Sequence, residues 1–305
     1  MGAATWTCRS AMLPVAGSQG VYVHCPEGGR YSFFNSPYPM HRAQTGVDVY
    51  PGQWFGEVAP SPIEGEVLKV RRVRAPTGRG FVDSGYDVVT LVRPPSNPSV
   101  ALKLLHVDTI LGVGDRVRVG DELGVLLRSG YYGWGTSPHI HVEVRSPLDP
   151  LRARGGYELS RVQPASAEPL TEIAGSVVAS RPEFALLRLC GSSQGLVGDV
   201  EGARGLLDGG IPYYGWMGVH MDEPRVGTIR LLGVKVGEAS AIHAGSCVGT
   251  CGGFGFTLGK VPLMGLSLYL TPVAGPLVKA IPRRVGGLDV VEGDWVDVSL
   301  NLGQG

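Results

Sequence analysis

His139-Ile140-His141 sets two imidazoles two residues apart, inside Ser137-Pro138-His139-Ile140-His141-Val142-Glu143-Val144-Arg145. From Ile140 onward the stretch alternates with period two, the pattern of a half-buried strand. On such a strand His139 and His141 point to one face, roughly 6.5–7 Å apart along the chain. Two imidazoles so placed can share a small charged object, most simply a metal ion or a metal-bound water. They can equally be two half-exposed strand histidines, and their spacing alone leaves both readings open.

The other histidines of the chain are His24, His41, His106, His220 and His243. His41 and His106, like the His139/His141 pair, fall beside turn or strand-end signals in the first half, with Asp48 near His41. A hydrolytic zinc site takes three nitrogen or oxygen ligands and keeps a fourth position for water. His41, Asp48 and His141 would supply such ligands. His106 and His139 would then be left for the water and the developing oxyanion. No His-Glu-x-x-His is present, so the helical zinc-protease motif is excluded.

The elements that must hold these residues read as strands. Val21–Val23 and Tyr31–Phe34 are short apolar pieces set off by Pro and Gly. A loop from Ser36 to Thr45 carries His41 and leads into a short strand with Asp48. Strands follow within 58–73, at 86–92 and at 100–106, the last ending on His106. The stretch 111–126, with Gly at 112, 114, 120 and 124 amid Val and charge, reads as a sharply turned β-segment. Tyr131, Tyr132 and Trp134 precede the His strand, either as groove walls or as packing. Pro138 suits the start of that strand, and Ser146-Pro147-Leu148-Asp149-Pro150 ends it.

Residues 1–153 therefore read as one all-β domain, 154–169 as a Pro- and Gly-containing linker, and 170–305 as a second β-rich domain. In that second part, strand-like runs stand at 185–190, 228–236, 266–271 and 295–300, and Glu201–Leu207 reads as a short helix. His243, Cys247 and Cys251 are spaced by four. The glycines around them favour a Gly-rich loop over a helical metal site.

Hydrophobic residues make up 43% and charged residues 18% of 305, which is ample material for globular cores. The formal net charge is zero, with no long basic run, so neither nucleic acid nor an anionic membrane surface is an expected partner. No run is long enough for a transmembrane helix. Five scattered cysteines do not form a secreted disulfide framework. With no secretory h-region visible, a cytoplasmic location is expected.

Thr45-Gly46-Val47-Asp48-Val49, Leu105-His106, Val113-Gly114-Asp115-Arg116-Val117 and Ser137–Arg145 together resemble the LytM/lysostaphin-type zinc endopeptidases. The resemblance runs from about 37 to 147, somewhat over a third of the chain. It implies a barrel-sandwich of antiparallel strands holding one zinc ion on His41, Asp48 and His141. It also implies that His106 and His139 orient or deprotonate the water and stabilise the tetrahedral oxyanion, acting on a peptide or peptide-bridge substrate. One departure stands out: the family places three residues between the first His and the Asp, whereas six separate His41 from Asp48. Gln44 occupies the expected His position. Either a bulged loop brings His41 in or the first ligand is lost.

Two other functions are weighed beside hydrolysis. One is a zinc-binding scaffold that keeps the fold without turnover. The other is a glucose-type sugar-transport phosphocarrier, which faces two histidines across a similar β-sandwich. Asp48 and the His-x-His spacing favour zinc.

Overall fold

The computed structural model describes residues 10–165 and 168–303. Cys8, and Ser166 and Ala167 of the expected linker, lie outside them. The regular elements of the described residues are all strands except for one α-helix, the single turn Pro39–Arg42. Among the described residues no helix is long and apolar enough to cross a membrane.

Strands up to Arg161 build three antiparallel sheets. The largest has seven strands, in the order Arg116–Val117, Gly65–Arg74, Tyr86–Arg93, Ala101–Leu105, Ile140–Arg145, Val47–Tyr50 and Arg30–Ser32. The His strand is thus internal, bracketed by the strand that ends beside His106 and the strand that carries Asp48. Register pairs His141 directly with Asp48 on one side and with Leu105 on the other. Three sequence-distant positions meet because the ladder puts them side by side.

The His strand differs from expectation in one respect: it is buried on both faces. Ile140, Val142 and Val144 face the main core with Val47, Val49, Leu102 and Leu104. The polar face of His141, Glu143 and Arg145 is covered too. Its cover is the turn bearing His41 and the segment after the strand, where the carbonyls of Asp149 and Arg154 accept hydrogen bonds from Arg145. Burying that face demands that every charge on it be paired.

From Ile173 onward the strands form one twelve-stranded sheet. Two additional pairings, of Leu196–Val200 with Ala203–Ile211 and of Val261–Leu268 with Leu277–Pro282, close it into two rings joined where Ala203–Ile211 meets Val261–Leu268. Glu201–Leu207 is not a helix. Glu201 and Gly202 form a two-residue hairpin turn, with φ of 50° and 80°. That is the left-handed pair a type I′ turn requires, and it sends the chain back along its own strand. His243, Cys247 and Cys251 lie on a neighbouring hairpin in which Ile242 faces Cys247, and the described cysteines are free.

The two parts share a core. Phe34 is fully buried, edge-on to Trp216 at 6.0 Å and against His220 at 5.5 Å between ring centroids. Tyr31 and Leu270 exchange both backbone hydrogen bonds, at 2.8 and 2.9 Å. Phe34→Ala should cost about 3–5 kcal/mol. Calorimetry should find the whole chain melting in one transition, at lower temperature. An unchanged second-half transition would reject the shared core.

Candidate metal centre

The five histidine and aspartate residues singled out from the sequence converge. Asp48 is buried, with Oδ1 2.8 Å from His141 Nδ1 and 3.5 Å from His41 Nε2. Its Oδ2 lies 3.6 Å from His139 Nε2 and 3.4 Å from the Tyr50 hydroxyl. His41, Asp48 and His141 offer ligand atoms all within 4.8 Å of one another, the one such group among the described residues. His106 completes the cluster, its ring centroid 5.1 Å from that of His139 and 6.2 Å from that of His141.

A helical turn resolves the long spacing between His41 and Asp48. Pro39 starts the turn, where its missing N–H costs nothing. Ala43 N–H donates to Pro39 O and Thr45 N–H to Met40 O. A helix advances about 1.5 Å per residue against about 3.3 Å in a strand, so the turn takes up the extra residues. Gln44 follows at φ 52° and turns away from the cluster, its Nε2 donating to Leu159 O at 2.9 Å. His41, not Gln44, joins Asp48 and His141 in the cluster. Gly46 is required beside it, since a Cβ there would stand 2.6 Å from His141 Cε1.

Each ligand ring is held by its far nitrogen. His41 Nδ1–H donates to Phe33 O at 2.7 Å, leaving Nε2 free toward Asp48. His141 Nε2 meets Glu143 Oε1 at 3.3 Å, leaving Nδ1 as the inward atom. Glu143 is held in turn by Lys103 Nζ at 2.7 Å and Arg145 Nη1 at 2.9 Å. Such partners fix ring orientation and raise ligand basicity. His106 has φ 71°, and Asp87 accepts both its backbone N–H and its Nδ1–H, at 3.0 and 2.6 Å. His139 Nδ1–H donates to Ser137 O at 2.9 Å. Tyr50 and Tyr132 pack on the His139 ring at 5.0 and 4.9 Å, and Tyr132 also packs on His106 at 4.7 Å.

Burial and charge divide the protonation states. Burial drives His139 down to about 3, although Asp48 opposes it. Burial acts on His141 likewise, but the Asp48 and Glu143 carboxylates on its two nitrogens outweigh it and hold the ring up to about 9. Burial disfavours the Glu143 carboxylate, yet His141 and Lys103 bring it down to about 2. Burial likewise opposes ionisation of Asp48, and the surrounding His139, His41 and His141 overcome it, well below the usual carboxylate range.

Sequence reasoning passed over the second layer. Asp87 is the lone acid in an otherwise apolar strand, and a buried acid demands a partner. Glu143 and Arg145 share the face of His141 by period two. Asp208 carried no signal at all. Fully buried in the second half, it accepts from Phe33 N–H at 2.7 Å and from Ser32 Oγ. Phe33 is the residue whose carbonyl orients His41. Asp208 Oδ2 also meets His220 Nε2 at 3.1 Å, and His220 Nδ1 meets Ser246 Oγ at 2.8 Å. This Ser–His–Asp order is sealed from solvent, and its carboxylate is engaged by the first half. It braces the backbone and has no access for a reactant. His24, against Pro62 O, and His243, against Glu158, belong to neither site.

Residues 23–161 match a family model described as "Domain of unknown function (DUF8155) N-terminal domain". No curated protein matches the chain. Among solved structures, "NMR solution structure of lysostaphin" is matched at 14% identity over 74% of this chain and 88% of that one, with a TM-score of 0.24. An overlay that loose does not establish a common fold.

The raised His141 pKa has a measurable sign. Its contribution to stability is fully present below its ordinary 6.5 and is lost as pH rises through about 9. In chelator, the melting temperature should fall across that window, and His141→Gln should flatten the fall. An equal slope in the variant would reject the double-carboxylate clamp.

Proposed function

We propose that this chain is a zinc-dependent hydrolase that cleaves a peptide (amide) bond. The observation that carries the reading is one buried cluster combining two inward imidazole nitrogens, one carboxylate oxygen, and two further imidazoles with free Nε2 atoms. Two nitrogens and one oxygen suit zinc, whereas calcium and magnesium favour all-oxygen sites. His41 Nε2, Asp48 Oδ1 and His141 Nδ1 would hold it. When bound, zinc supplies Lewis acidity and lowers the pKa of water.

The chain's own residues divide the proton work. His106 has a carboxylate behind it, so Asp87 stabilises the imidazolium that forms when Nε2 takes a proton. His139 is backed by a neutral carbonyl that takes its Nδ1–H, so its unprotonated Nε2 accepts from the water and can donate toward the developing oxyanion only once it has taken up a proton. Tyr50 and Tyr132 pack against the His139 ring and help to bury it. A phosphocarrier reading fits less well, because Asp48 sets a negative charge among the histidines where an anionic phosphoryl group would have to approach.

Protein purified without added metal should carry about one zinc per chain, and His41→Ala should weaken its retention. His106→Ala and His139→Ala should keep zinc while losing about a hundredfold or more in peptide hydrolysis. Full activity in either variant would overturn the assigned roles. Zinc retained with no hydrolysis of any peptide would favour the scaffold alternative.

A further inference from the structure

Beside the metal cluster lies a cavity of about 220 Å³. Its walls come from both halves of the chain. Tyr50 and Ser137 are shared with the cluster, since Tyr50 packs on His139 and Ser137 holds its Nδ1–H. Tyr213, Tyr214, Ser267 and Lys279 come from the second half. The volume is below the roughly 300–1,000 Å³ of pockets for drug-sized ligands, and suits the end of a chain or one side chain.

Lys279 is the unusual member. It is 1% exposed, and Nζ donates to Gly135 O at 2.6 Å and to Ser137 Oγ at 3.1 Å. The titratable groups around it are the Tyr269 phenol and a second cation, Arg30, with no carboxylate ion-paired to it among the described residues. Arg30 is itself buried, stacked 4.8 Å over the Tyr269 ring and 5.1 Å over Tyr50, and its Nε has no hydrogen-bond partner. Burial draws the Lys279 pKa below its ordinary value, as expected of an ammonium without an anion. The other deeply buried lysine, Lys103, does have a carboxylate, Glu143. Buried cations are ordinarily paired, and this one lines a cavity together with Tyr50 and Ser137, both in contact with His139.

We infer that this cavity is a carboxylate-binding subsite, in which Lys279 pairs with a carboxylate of the peptide substrate next to the bond being cut. The inference rests on the hydrolase reading for its substrate, but not for its binding chemistry. A peptide's terminal carboxylate and an acidic side chain share the recognised group, and the two are separable by experiment.

The test is calorimetric binding to the full-length protein, zinc-loaded and chelator-treated. One probe pair is acetyl-Gly-Gly-Gly as free acid and as C-terminal amide. The other is amidated acetyl-Gly-Glu-Gly and acetyl-Gly-Gln-Gly. One acid should bind at least about tenfold tighter than its uncharged partner, in line with a charge-assisted hydrogen bond. The pair that discriminates identifies the source of the carboxylate. Lys279→Met should erase the preference at unchanged zinc content, and Lys279→Arg should keep it. Equal binding of acid and neutral probes by the unaltered protein would overturn the subsite, whatever the variants do. So would a preference that needs zinc and survives in Lys279→Met, because that is ligation by the metal. Loss of zinc binding with the acid preference intact would instead refute the hydrolase reading and leave the subsite standing.

Discussion

A carboxylate with 1% of its surface exposed stays ionised in a β-core only if its surroundings neutralise it. Asp48 has three imidazoles and a phenol around it, and much of the first half serves to hold those rings. Compensation spreads outward in shells of alternating sign. Asp48 faces His141, His141 faces Glu143, and Glu143 faces Lys103 and Arg145. Removing one member of such a chain strands the next as an unpaired buried charge.

Much of this was legible in the residues. The His-x-His strand, the strand ending at His106 and the strand carrying Asp48 follow from alternation and Val-rich runs. The clustered His and Asp were legible because metal chemistry restricts the residue types that could hold an ion. What supports them was not, since Asp87 and Glu143 look like ordinary strand charges until burial is known. The gap from His41 to Asp48 was illegible for another reason. Whether six residues span a long or a short distance depends on their backbone, and one helical turn decided it. Glu201-Gly202 shows the reverse failure: helix-like composition yielded to a turn that fixes two positive φ angles.

The second half also enters the site. Asp208 accepts from the Ser32 hydroxyl and from the backbone N–H of Phe33, whose carbonyl aims His41, and Lys279 reaches the loop before the His strand. No periodicity in residues 170–305 points to residues 30–50, because these contacts depend on how two sheets meet. The orientation of His41 is thus tied, through Phe33, to a chain segment more than 150 residues away.

The edge of the seven-stranded sheet nearest the cluster, Arg30–Ser32, has the outer backbone N–H and C=O of Tyr31 taken by Leu270, and the N–H of Phe33, just beyond the strand, taken by Asp208. A peptide that adds itself to a sheet as one more strand needs such an edge free. Here that mode of capture is closed at the margin beside Asp48. An extended guest would have to be gripped by loops and side-chain pockets, and its selectivity would come from the shape and charge of its side chains and ends.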